Sequence, residues 1–142
     1  MGEEAVTGLI LALGRVERRV SRRLGDVLAA HGATVDEWRV LAVLAGGPGR
    51  PMRELAEAAA ARAPKLTRIV DGMVAADLVE RRVDAGDRRR ILVSLTPLGR
   101  SRHRRLRPIV EAASASLEAR VGTTEIAELV RLLDRFLDRS DS

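Results

Sequence analysis

Cysteine is absent from the chain, which removes disulfides, thiolate metal sites, cysteine nucleophiles and thiol-based redox sensing in one step. Aromatic residues are almost absent as well: one Trp, one Phe and no Tyr in 142 residues. Core filling therefore falls to Leu, Val, Ile and Ala, the usual content of closely packed helices. The two histidines, His31 and His103, lie on different predicted segments with no carboxylate cluster nearby, so they read as surface or helix-end residues. No glycine-rich phosphate loop, His-Glu-x-x-His pair or serine elbow occurs. The chain is thus expected to be no enzyme, with no catalytic residues, no metal site and no cofactor. No apolar run approaches the roughly 20 residues that span a bilayer. The opening Met1-Gly-Glu-Glu-Ala is acidic and unlike a signal peptide. A cytoplasmic protein without a membrane partner is the expectation.

What is present is helical. Hydrophobic residues make up 46% of the chain, and a single domain over 1–142 can bury roughly two-thirds of its unfolded surface. Residues 5–30 place Val6, Leu9, Leu13, Val16, Val20, Leu24 and Val27 at helical period, with Arg15, Arg18, Arg19, Arg22 and Arg23 on the other side. Thr34-Val-Asp-Glu37 is a capping-box signature and opens a helix that stops at Gly46-Gly-Pro48. Pro51 to about Ala60 reads as a short helix, and Pro64 suits the first turn of another running to about Asp77. Two short helices so close together are the helix-turn-helix pattern.

The periodicity then changes. Leu78–Val83 and Ile91–Thr96 are β-prone runs flanking Asp84-Ala-Gly-Asp-Arg-Arg-Arg90, a hairpin with an exposed loop. Thr96-Pro97 caps a long helix to about Val121, and a last helix follows Gly122-Thr123. The fold class expected is mainly α with a small β-hairpin wing: a winged helix-turn-helix lobe over 34–96, with terminal helices over 5–30 and 97–139.

Charge is concentrated. The net charge is +5, and Lys65 is the only lysine among 25 basic residues. Between Arg81 and Arg107 stand ten arginines against Asp84 and Asp87, a local +8 that leaves the remainder at −3. A genome-wide arginine bias would scatter this charge. A basic segment on an otherwise mildly acidic protein is the footprint of phosphate binding.

The helix from Pro64 turns Leu66, Val70 and Met73 to the core and Pro64, Arg68, Asp71 and Ala75 outward, with Lys65 and Gly72 on the shoulder. A recognition helix needs small residues and a few long donors on its outer face to enter the major groove. Pro64, Gly72 and Ala75 meet the first need; Lys65, Thr67 and Arg68 meet the second. Asp71 fits a groove poorly and is expected to hold a neighbouring arginine. In the loop, Arg88, Arg89 and Arg90 follow Asp87. An arginine at the tip of a projecting ribbon can enter a narrow minor groove, aimed by a carboxylate.

Thr67-Arg-Ile-Val-Asp71, Leu78-Val-Glu-Arg81, Asp87-Arg-Arg89 and Leu95-Thr-Pro-Leu-Gly99 together resemble the MarR (multiple antibiotic resistance regulator) family. Helix order agrees along the whole chain, including Glu37-Trp-Arg-Val-Leu41; the section 52–99 carries the specific motifs. The resemblance implies a sequence-specific transcriptional regulator of double-stranded DNA, expected to be a repressor, and a homodimer through its first and last two helices. A two-fold dimer implies a pseudo-palindromic operator. The resemblance places Arg62, Pro64, Lys65, Thr67 and Arg68 on the recognition helix. In the wing it implies Arg89 in the minor groove with Asp87 as its partner, and Arg88 and Arg90 on phosphates. It also implies a small aromatic or anionic effector in a crevice, for which Trp38 is the candidate wall. Lys65, Gly72 and Asp77 depart from the family pattern, where Ser or Thr, a basic residue and Gly respectively are common. A non-specific architectural DNA-binder and a helical protein–protein adaptor are the alternative readings.

Overall fold

The structure is a computed structural model that describes residues 2–142. Its order is α1 (Gly2–Ala29), α2 (Val35–Leu44), β1 (Arg50–Pro51), α3 (Met52–Ala58), α4 (Ala63–Ala75), β2 (Val79–Val83), β3 (Ile91–Leu95), α5 (Pro97–Val121) and α6 (Thr123–Ser140). Every expected helix and both hairpin strands are present. The additional element is β1, whose Arg50 and Pro51 pair with Val93 and Leu92 of β3. Two residues carry no alternating pattern to read, and a proline is tolerated because β1 lies at the sheet edge. The antiparallel sheet runs β1-β3-β2, with Val79 opposite Leu95 and Val83 opposite Ile91.

The core lies in the middle of the chain. Leu41 and Leu44 of α2, Leu55 of α3, and Leu66, Val70 and Met73 of α4 meet Val79, Val93 and Leu95 of the sheet. Leu28 from α1 and Leu106 from α5 close it. Thr34 caps α2 as expected, its Oγ1 accepting from the Glu37 backbone N–H at 3.1 Å. The reciprocal half of the capping box is replaced: the Glu37 carboxylate accepts from Arg102 instead, at 2.8 Å.

The terminal helices differ from the middle. Only Leu28 of α1 is buried, while Val6 is 60% and Ile10 65% exposed. No residue of α6 is buried. The apolar stripes seen in the sequence are real, yet within one chain the first half of α1 and much of the α6 stripe stay exposed.

The lobe is joined to α5 at Thr96. Its Oγ1 donates to the Asp77 carbonyl at 2.6 Å and accepts from the Gly99 N–H at 3.0 Å, while its own N–H donates to the Leu78 carbonyl at 3.1 Å. Asp77 ends α4 with φ +60°, a left-handed conformation that Asp tolerates better than most residues. A Cβ at Gly99 would overlap the Leu78 carbonyl, so only glycine allows α5 to start this close to the wing root. Gly99→Ala is expected to destabilise the protein by about 3 kcal/mol through this overpacking. Gly8→Ala, where no atom lies within 4 Å, is the control and should stabilise slightly. Urea unfolding midpoints of the two variants check both.

Candidate nucleic-acid interface

The outward face of α4 is built by its core face. Burial of Leu66, Val70 and Met73 fixes the rotation of the helix and leaves Arg62, Pro64, Lys65, Thr67 and Arg68 exposed on or just before its first turns. Pro64 sits in the first turn, where its missing N–H leaves nothing unsatisfied. Thr67 Oγ1 donates back to the Ala63 carbonyl at 2.9 Å. Lys65 Nζ lies 3.4 Å from Asp36 Oδ1 of α2. Arg68 has no ion-pair partner among the described residues. Asp71 holds an arginine, as expected: Arg81 of β2 pairs with it, tying the wing to the recognition helix.

The loop 84–90 is shaped by its two aspartates. Asp84 Oδ1 accepts from the Gly86 N–H at 3.0 Å, and Asp87 Oδ1 accepts from the Arg89 N–H at 3.1 Å. These are side-chain turns of the kind Asp favours. Asp87 therefore fixes the backbone of Arg89 and does not hold its guanidinium, which corrects the sequence expectation. The physical reason is local: a carboxylate two residues back reaches an N–H more readily than the end of a long side chain. Arg90 also departs from expectation, because it forms an ion pair with Glu54 of α3 at 3.0 Å. Arg88 and Arg89 remain exposed and, among the described residues, without an ion-pair partner.

Half of the basic segment is structural. Arg81, Arg82, Arg90, Arg102 and Arg107 pair with Asp71, Glu80, Glu54, Glu37 and Glu111. Arg88, Arg89, Arg100, Arg104 and Arg105 carry no such pair among the described residues. Arg102 is the one that sequence reasoning missed altogether. Its side chain, 21% exposed, donates to the Glu37 carboxylate and, at 2.8 Å, to the Gly32 carbonyl. Glu37 correspondingly raises the affinity of Arg102 for its proton. This clasp holds α5 to the corner between α1 and α2. A separation of 65 residues between the partners leaves no local signal for it.

Trp38 stacks on His103, ring centroids 5.2 Å apart and planes 6° from parallel. A cleft of about 800 Å³ between α1 and α5 is lined by Val20, Leu24, Val27, Ile109 and Leu117 with Arg23, Asp26, His31 and Arg120, and Trp38 is not part of that wall. The ring of Trp38, the candidate crevice wall, lies at the α2–α5 contact against His103. No cluster of three metal-ligating side chains occurs among the described residues, and no helix is long and apolar enough to cross a membrane.

A three-stranded sheet with a projecting hairpin, set behind a helix whose small outer face stands free, defines a winged helix-turn-helix protein. Residues 31–90 match the family model described as MarR family. Over 94% of this chain and 90% of the relative, it is 28% identical to the homoprotocatechuate degradative operon repressor of Escherichia coli. The repressor CouR bound to a 23-mer DNA duplex is 25% identical, with a TM-score of 0.78 over 94% of this chain and 95% of that one. Rv2887, a MarR family protein of Mycobacterium tuberculosis solved with p-aminosalicylic acid, is 26% identical, with a TM-score of 0.70 over 90% and 97%. Residues 31–90 thus carry the pattern of the MarR family, and along nearly its whole length the chain is similar to transcriptional regulators.

Burial, with Arg107 and Arg104 nearby, lowers the His103 pKa below its ordinary value of 6.5. The folded state thus favours the neutral ring, and its contribution to stability is complete above that value and is lost as pH falls through the lowered one. Because Trp38 is the only indole, its fluorescence should be quenched in a single step below pH 6.5. His103→Gln should abolish that step in a fluorescence titration.

Proposed function

We propose that the chain is a homodimeric repressor that reads a pseudo-palindromic operator with two α4 helices in successive major grooves, while the two wings reach the flanking minor grooves. The observation that carries this reading is the surface shared by α4 and the wing: Pro64, Arg68, Gly72 and Ala75 face outward, with Arg88 and Arg89 projecting beside them. Small residues let the helix approach the bases, and an unpaired guanidinium is free to take a phosphate or enter a narrow groove. In this reading Arg89 enters the minor groove, Asp87 sets the backbone that presents it, and Arg88 serves a phosphate. Arg62, Lys65, Thr67 and Arg68 contact bases and backbone around the major groove. Arg90, held by Glu54, braces the wing. That CouR, of the same fold, is solved on DNA supports the reading.

The terminal helices supply the dimer. Val6, Ile10, Leu13 and Val16 of α1 and Leu129, Val130, Phe136 and Leu137 of α6 are at least 40% exposed, an apolar area that a second copy would cover. A two-fold axis through them sets the half-sites about one helical turn apart. The α1–α5 cleft is the proposed effector site. Its apolar walls suit an aromatic ring, and Arg23 and Arg120 suit an acid group. An aromatic acid there would act by favouring one spacing of the two recognition helices over another.

Titration against the DNA upstream of its own gene, with excess random competitor and with or without an aromatic acid, tests the function. Operator binding should survive the competitor; equal affinity for both DNAs would replace the reading with an architectural role. Arg89→Ala should weaken operator binding about 5- to 150-fold, or about 1–3 kcal/mol. An unchanged affinity removes Arg89 from the interface. Replacing Leu129 and Phe136 together by Asp should convert the dimer to monomer in sedimentation velocity, with operator binding lost.

A further inference from the structure

A second groove lies along α4, between it and α5. It measures about 530 Å³ and is bounded by α4, the N-terminal turn of α2 and the first turns of α5. Ile69, Met73 and Leu98 supply apolar walls, and Arg68 and Arg105 are among its lining residues. Gly72 opens it further, because no atom lies within 4 Å of where a Cβ would stand. The two carboxylates in the groove are already committed: Glu37 is held by Arg102, and Asp36 lies 3.4 Å from Lys65. That leaves Arg68, from the recognition helix, and Arg105, from α5, as its uncompensated charges among the described residues.

We propose that Arg105 is a further DNA contact, gripping a backbone phosphate of the operator in this groove beside Arg68. The inference rests on the DNA-binding reading above and extends it to a residue of a helix otherwise concerned with dimerisation. Two guanidiniums flanking a phosphate match its charge, and their fork geometry suits its oxygens. Leu98 and Ile69 offer a sugar an apolar surface, and the missing side chain at Gly72 lets the backbone come close. The recognition helix would then be held to the duplex by Arg105 as well as by the wing. Arg100 and Arg104, the other unpaired arginines of α5, are not part of the groove wall.

Operator affinity measured as a function of salt tests this. Arg105→Ala should bind about three- to tenfold more weakly at physiological salt, with the slope of log K against log salt shallower by about 0.9 for each protomer bound. Arg104→Ala, an equal loss of charge on the same helix, should leave that slope unchanged. Arg105→Lys keeps a positive charge at the same place and should retain the slope, with the affinity reduced only by the loss of the fork. Arg105 has no intrachain ion pair among the described residues, so its loss should leave the circular dichroism and melting temperature intact. Equal effects of the two alanine variants, or an unaltered slope, would overturn the proposal while the DNA-binding reading stands. Unchanged operator binding with lost binding of inorganic phosphate or an aromatic acid would also overturn it, making the groove a small-anion site. Failure of the unaltered protein to bind its operator would instead remove the DNA-binding reading, and the proposal with it.

Discussion

Three hydrogen bonds converge on Thr96, and the two functions of the molecule meet there. The hydroxyl accepts from the Gly99 amide in the first turn of α5 and donates to the Asp77 carbonyl just past the end of α4, while the backbone N–H holds Leu78 at the wing root. Recognition helix, wing and α5 are therefore joined through a single buried side chain, 6% exposed. Gly99 brings the helix start against the Leu78 carbonyl, so no compressible layer separates them. Close-packed elements shift between discrete arrangements and do not deform continuously. In the proposed dimer a movement of α5 would thus be passed to α4 as a rigid displacement, which is what the proposed effector action on helix spacing requires.

Electrostatics divides the same way. The run of arginines in the sequence suggests one basic patch, yet the fold spends half of them internally. Arg81 and Arg90 tie the wing to α4 and α3, and Arg102 ties α5 to the α1–α2 corner. Exposed pairs of this kind contribute little each, on the order of 0–1 kcal/mol. Their value lies in placement: each holds an element at a set distance from the surface where the unpaired arginines stand. Arg102 is the exception in burial, and losing it would leave Glu37 poorly solvated and the carbonyl of Gly32 without its partner.

The features legible in the sequence are those set by neighbours within about four residues. Caps at Thr34 and Thr96, the rotation of α4 given by Leu66, Val70 and Met73, and the hairpin around 84–90 all follow from local spacing. Asp77 could be read as a left-handed terminator for the same reason. The strand β1 could not, because its two residues are strand only by virtue of β3 beside them. Nor could the clasp of Arg102, the brace of Arg90 on Glu54, or the stack of His103 on Trp38, whose partners are far apart in sequence. Asp87 was legible as a determinant of the wing tip but not in its manner of acting, since composition does not distinguish a carboxylate aimed at a guanidinium from one aimed at a backbone amide.

The apolar stripes of α1 and α6 lead to a further constraint. In α6 the arc from Leu132 through Phe136, Leu129 and Leu133 to Val130 is wider than its contact with α5 uses; Ile126 and Leu133 are half-buried there, and the flanking residues stand out in solvent. A helix with no buried residue gains little from its own chain, since helical stability in proteins comes chiefly from packing an amphipathic face. Its position, and that of the first half of α1, must be set by what covers them. The DNA-binding lobe by contrast has a buried core, closed by Leu28 at the end of α1 and Leu106 of α5. In the proposed dimer the lobe and α5 would hold their packing while the exposed ends of the terminal helices take their geometry from the second copy, which would make the spacing of the two recognition helices the soft coordinate of the assembly. The α1–α5 cleft lies beside that coordinate, where Leu24 and Ile109 pack on the core and Val20 and Leu117 lead away from it. A ligand bound there would bear on the relation between the lobe and the proposed dimer without touching either recognition surface.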